Sequence, residues 1–102
     1  MFRHVVLLRF TPESSAEERA GVGDALRTLP SHIPEIRAYS VGEDVGETDG
    51  NYNLAVVADF DDAAGYVVYR DHDVHQRIIR DLIRPILASR AAVQTRASLD
   101  NT

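Results

Sequence analysis

The sequence predicts an α+β domain in which helices cover one face of a four-stranded antiparallel sheet. Three observations carry this. Residues 2–10 alternate with period two, as a half-buried strand does. Two more alternating runs, roughly 35–42 and 52–60, follow one another with only an acidic, glycine-rich loop between them. They therefore pair as a hairpin. Apolar residues at three- and four-residue spacing follow the first and third strands, and a last alternating run ends the pattern.

The first strand places Phe2, His4, Val6, Leu8 and Phe10 on one face and Arg3, Val5, Leu7 and Arg9 on the other. Thr11-Pro12 ends it. Ser15 followed by Glu18 is a capping box, and the helix it opens is expected to run to about Leu29, with Val22, Ala25, Leu26 and Leu29 as its apolar stripe. Pro30 stops it. Tyr52, Leu54, Val56, Ala58 and Phe60 form one face of the third strand.

Asp61-Asp62 caps a short helix to about Arg70. Asp73 and Gln76 form a second capping pattern. His75, Ile78, Ile79, Leu82, Ile83 and Ile86 then give a strong helical face, which Pro85 ends or kinks. Residues 91–96 alternate as the last strand, and residues 98–102 are expected to fray beyond a single domain of residues 1–97.

The order strand, helix, strand, strand, helix, strand is the ferredoxin-like pattern. Its uncovered sheet face would expose Val5, Leu7, Ala55, Val57 and Tyr39 or its neighbours. Packing two such faces together buries them, which predicts a homodimer, a dimeric α+β barrel.

The chain has 102 residues and 44% apolar content, enough for one packed domain. A net charge of −5 with no basic run argues against nucleic-acid binding. No apolar run approaches the roughly 20 residues of a membrane span. The first residues read as a strand and not as a leader, so a cytoplasmic location is expected. Absent cysteine removes disulfides and thiolate nucleophiles. Absent lysine (all 11 basic residues are arginine) removes side-chain Schiff bases.

Two of the four histidines and two of the four tyrosines fall within residues 66–79. His75 sits in the first turn of a helix and points inward with Ile78 and Ile79. A helix N-terminus and burial both disfavour imidazolium, and a neutral imidazole is what a general base requires. The structural alternative is a buried histidine satisfied by a backbone carbonyl. Tyr69, six residues earlier, either orients that base or packs its ring in the core. Tyr66 is a core or substrate-facing residue. His4 lies on the inward face of the first strand and needs a hydrogen-bonding partner there. His72 lies between Asp71 and Asp73 and reads as a solvated loop residue at the edge of the same region. The spacing of His72 and His75 is weak evidence for a metal, and no metal or other cofactor is expected. Arg70, Arg77, Arg80 and Arg84 read as a solvated helix face paired with Asp71 and Asp81.

The run from His4 to Phe10, the run from Asn51 to Phe60, and the spacing Tyr69-x-x-His72-x-x-His75 together resemble the stress-responsive A/B barrel (Dabb) family. The resemblance covers nearly the whole chain and implies a ferredoxin-like monomer pairing into a dimeric α+β barrel. It also implies site residues. In a plant polyketide cyclase of the family, which closes a ring by aldol condensation without cofactor, His75 matches the general base, Tyr69 its tyrosine partner and His4 a supporting histidine. A further pocket histidine of that enzyme is Leu54 here, which makes Leu54 a substrate-facing candidate with His72 and Tyr66.

Three functions follow as expectations. The first is cofactor-free acid–base catalysis of the cyclase, isomerase or lyase type on a small carbonyl or polyketide-like compound. The second is a non-catalytic, stress-linked dimer holding a small ligand in the same pocket. The third is a cofactor-independent monooxygenase, which oxygen uptake with a phenolic substrate would reveal.

Overall fold

The computed structural model describes residues 1–96, so the expected frayed tail lies outside the described residues. The elements are β1 (Phe2–Phe10), α1 (Ala16–Leu26), β2 (Ala38–Glu43), β3 (Leu54–Phe60), α2 (Ala63–Asp71), α3 (Asp73–Ile78) and β4 (Leu87–Arg96). A 3-10 turn, Leu29–Ser31, follows α1. The four strands form one sheet in the order β2-β3-β1-β4, with every neighbouring pair antiparallel. This is the ferredoxin-like architecture that the strand and helix order predicts.

Ser15 caps α1 as a full capping box: its hydroxyl accepts from the Glu18 N–H, and the Glu18 carboxylate accepts from the Ser15 N–H. The helix ends at Leu26, three residues before the expected Leu29. Pro30 has no N–H to continue an α-helical ladder and sits in the 3-10 turn instead. Leu29 is nevertheless fully buried, as the stripe requires. In the hairpin loop the chain turns at Gly46 and Gly50, whose φ of +81° and +87° lie in the left-handed region open to glycine. Asn53 precedes β3 and is not part of it. Its side-chain oxygen accepts from the Phe10 N–H at 2.8 Å and ties the loop to β1.

The core lies between the sheet and the helices. Val6, Leu8, Phe10, Val56, Ala58 and Phe60 rise from the inner sheet face to meet Val22, Leu26, Leu29, Ile33, Ile78, Ile83 and Ile86. On the outer face, Arg3 lies opposite Asp59 across β1 and β3 and holds its carboxylate with two hydrogen bonds of 2.8 and 2.9 Å. Leu7 and Val93 are exposed there, with Val5, Ala55 and Val57 half-covered. Of Tyr39 and its neighbours, the neighbours lie on this face: Ala38 and Ser40 stand opposite Asp59 and Val57, while Tyr39 packs inward against the core, opposite Ala58.

Past the break at His72, α3 does not remain a regular helix. Ile79–Ile83 widens into a π turn, and Arg84–Ile86 tightens into a 3-10 turn that accommodates Pro85. The extra residue in the π turn rotates the apolar stripe. Ile83 and Ile86 stay buried, while Leu82, expected to face inward, is 41% exposed. No described helix is long and apolar enough to cross a membrane.

Candidate functional site

The break between α2 and α3 creates the site. His72 adopts an extended backbone, with φ −63° and ψ 136°, and interrupts the helical ladder. It is itself the cap of α3: its Nδ1 accepts from the Val74 N–H at 3.1 Å. Asp73, the expected cap, is the first helical residue instead. Ending α2 leaves late carbonyls without helical partners. The Arg70 carbonyl finds two side chains of α3, accepting from His75 Nδ1 at 3.1 Å and from Gln76 Nε2 at 2.6 Å. Gln76 therefore binds across the break and not back to a cap.

These bonds fix a tautomer. A carbonyl oxygen only accepts, so His75 carries its proton on Nδ1 and its Nε2 is a free base. Burial holds His75 below its usual pKa of 6.5, against the opposing effect of the Arg70 and Tyr69 carbonyls. The ring of Tyr69 packs against the imidazole, with centroids 4.2 Å apart and the planes tilted by 30°. The Tyr69 hydroxyl points elsewhere, to the Tyr39 hydroxyl at 3.0 Å.

His4 has the opposite tautomer. Gln94 Nε2, a donor only, lies 2.8 Å from His4 Nδ1. His4 Nδ1 must accept, and its proton resides on Nε2. His4 is 4% exposed, and its pKa is pushed down to about 4, first by burial, then by the nearby Arg90 charge and by coupling to His75. Tyr66 packs 4.8 Å from it, centroid to centroid.

His4, Tyr66, Tyr69 and His75 line one cavity of about 350 Å³. Val6, Leu8, Ile79 and Leu87 supply apolar wall, and Arg84 and Arg90 supply charge. The cavity is at the small end of ligand pockets, which run from roughly 300 to 1,000 Å³. Two of the other sequence candidates lie apart from it. Leu54 is buried under α1 and β2, near Phe10 and Ala16, and does not line the cavity. His72 is committed to its capping bond. Among the described residues no group of three or more histidine, aspartate or glutamate side chains converges to hold a metal.

Sequence reasoning missed Tyr39, Gln94 and Arg90. The register makes them inner-face residues: Tyr39 opposite Ala58, Gln94 opposite His4, and Arg90 opposite Leu8. The one signal was alternation in β4, which places Arg90, Ala92 and Gln94 on one side. Starting that strand at residue 91 left Arg90 outside it. Arg70 and Arg80 pair with Asp71 and Asp81 as expected; Arg70 also lines the cavity, as does Arg84, which was expected on the solvated helix face.

Fold and site together define a ferredoxin-like α+β domain with a histidine- and tyrosine-lined cavity between sheet and helices. The chain belongs to the stress-responsive A/B barrel domain family, whose model matches residues 2–96. It is similar to a dimeric ferredoxin-like protein of unknown function from Thermobifida fusca, with 40% identity and a TM-score of 0.86 over 94% of this chain and 90% of that one. A dimeric protein of ferredoxin-like fold and unknown function from Bacteroides fragilis is 25% identical, with a TM-score of 0.83 over 94% and 95% of the two chains. The hydroxynitrile lyase from Passiflora edulis shares the fold at 15% identity, with a TM-score of 0.82 over 96% and 94%. No curated protein matches the chain.

Proposed function

We propose that this protein is a cytoplasmic homodimer whose cavity performs cofactor-free acid–base chemistry on a small carbonyl compound. One observation carries the reading: two neutral histidines of opposite tautomer face the same cavity. His75 Nε2 offers a lone pair. His4 Nε2 offers a proton. A base beside a hydrogen-bond donor is the arrangement that removes a proton from carbon next to a carbonyl.

In that reaction His75 Nε2 takes the α-proton and becomes imidazolium. The C–H electron pair moves into an enolate whose oxygen accepts from His4 Nε2–H. The enolate carbon then regains a proton or attacks a second carbonyl. In the second case the imidazolium returns its proton to the new alkoxide. Tyr69 positions His75 by ring contact, and Tyr66 walls the site. Aldol-type cyclases, enolising isomerases and lyases that eliminate next to a carbonyl share this step.

The dimer reading draws on the relatives from T. fusca and B. fragilis, described as dimeric, and on the apolar outer sheet face. A non-catalytic ligand-binding dimer is the second reading, favoured by the predominantly apolar wall of Val6, Leu8, Val56, Ile79, Ile83 and Leu87. Proton exchange separates the two. Small enolisable ketones and β-dicarbonyl compounds are incubated with the protein in D₂O, and loss of α-proton signal is followed by NMR. Catalysis predicts exchange above buffer that His75→Ala removes. Exchange no faster than buffer leaves only the binding reading, and full exchange in the variant rejects His75 as the base.

A further inference from the structure

We propose that the ligand of this cavity carries a carboxylate, clamped by Arg90 and Arg84; this rests on the acid–base reading and specifies its substrate as a small carboxylic acid with an enolisable carbonyl. The chain is acidic, with 16 carboxylate side chains against 11 arginines. Five arginines have found them: Arg3 with Asp59, Arg27 with Asp24, Arg37 with Asp61, Arg70 with Asp71 and Arg80 with Asp81. Arg9 and Arg19 bond backbone carbonyls instead, and Arg77 and Arg96 lie away from the cavity. Arg84 and Arg90 have no ion-pair or hydrogen-bond partner among the described residues, yet both line the cavity. No described aspartate or glutamate lines it. In a chain with carboxylates in excess, a cavity with guanidinium groups and no carboxylate is built for an anion from outside.

The placement fits the chemistry. Arg90 stands opposite Leu8 on β4, two inward positions from Gln94, the partner of His4. Arg84 comes from the 3-10 turn that carries Pro85, just before β4 begins. A guanidinium binds a carboxylate through two parallel N–H donors, which orients a planar group as well as attracting it. Val6, Leu8, Ile79 and Leu87 would hold the apolar body of the ligand. A bound carboxylate also offsets the positive field of Arg90, which otherwise opposes formation of imidazolium at His75.

The test uses the whole chain with phenylacetate and phenylacetamide as matched probes, titrated by ¹H–¹⁵N NMR. Phenylacetate is expected to bind about tenfold or more tightly than the amide, as a charge-assisted hydrogen bond predicts. Arg90→Gln and Arg84→Gln should each weaken the carboxylate by a similar factor and leave the amide unchanged. Both side chains are exposed, so neither variant threatens the fold. His75→Gln should retain the preference. Equal affinity for the two probes, binding of neither, or a preference that survives in the double arginine variant overturns the proposal. Carboxylate preference without His75-dependent proton exchange sinks the catalytic reading and leaves the clamp standing. His75-dependent exchange on neutral ketones with equal probe affinities does the reverse.

Discussion

The hydroxyl oxygens of Tyr39 and Tyr69 lie 3.0 Å apart, joining β2 to the last turn of α2 beneath the cavity. Burial pushes both hydroxyls above their usual pKa of 10.0. Neither therefore serves as a proton acceptor at neutral pH. One hydroxyl donates to the other, which leaves the pair with one proton to offer and the Tyr69 ring fixed against His75.

Breaking this pair from one side leaves a buried hydroxyl without its partner. Tyr39→Phe is expected to cost about 1–2 kcal/mol in urea denaturation, and Tyr69→Phe a similar amount. The double phenylalanine variant should lose less than the sum, because removing both hydroxyls leaves nothing unsatisfied. Additive losses would mean that the two oxygens do not interact.

His75 gives a prediction in rate and in pH. His75→Ala should lower kcat/KM for proton exchange by about 10²–10⁴-fold, the range for a general base. Its folded pKa lies below the usual 6.5, so the basic form dominates at neutral pH. The rate should be flat above pH 6.5 and fall only as pH drops through the depressed value. A profile that falls as pH rises would assign the step to an acid.

His4 makes stability depend on pH. Its pKa is about 4 in the fold against 6.5 in the unfolded chain. Between those values the unfolded state binds a proton that the native state refuses, so stability decreases as pH falls from 6.5 to 4. The loss reaches about 3 kcal/mol at the lower end, from 1.36 kcal/mol per unit. Above pH 6.5 it vanishes. Asp59 acts in a separate window: Arg3 holds its carboxyl below 3.8, so its contribution is lost only under more acidic conditions. Urea midpoints measured from pH 7 to 4 should show the slope, and His4→Gln should reduce it, leaving the smaller part that the depressed His75 contributes.

The helix break depends on the His72 cap. His72→Ala removes the acceptor for the Val74 N–H and should cost about 0.5–2 kcal/mol, while His72→Asn should restore most of it. Thermal denaturation of the two variants checks this. Equal losses would show that Nδ1 contributes nothing to the turn.

Strand order and helix placement were legible because they follow from period and capping, which are local. Ser15 with Glu18 marked the start of α1 correctly, and the alternation in residues 2–10 matched β1 to the residue. His4, Tyr66, Tyr69 and His75 were also visible, as polar or aromatic groups on otherwise apolar faces, and one cavity holds all four. Gln94 and Arg90 were not, since their approach to His4 and Leu8 is a matter of β1–β4 register between distant segments. Leu82 and Asp73 were misplaced by geometry that single-residue patterns do not encode. A π turn rotated the first outward, and a histidine took the capping role of the second.

The outer sheet face yields the last prediction. Val5 lies between Val57 and Val93 in register, and Leu7 between Ala55 and Ala91. Leu7 and Val93 are 36% and 53% exposed, and together these residues form an apolar surface with no helix above it. Two copies related by a twofold axis would bury it against itself. Leu7→Glu and Val93→Glu place a carboxylate in the centre of that contact, and the symmetry doubles it. Each variant should shift sedimentation from dimer to monomer at micromolar concentration. Circular dichroism should stay unchanged, because neither side chain belongs to the core beneath the helices. If the glutamate variants sediment as dimers, the chains pair through another surface. If wild type sediments as a monomer, the open face is a property of the isolated fold.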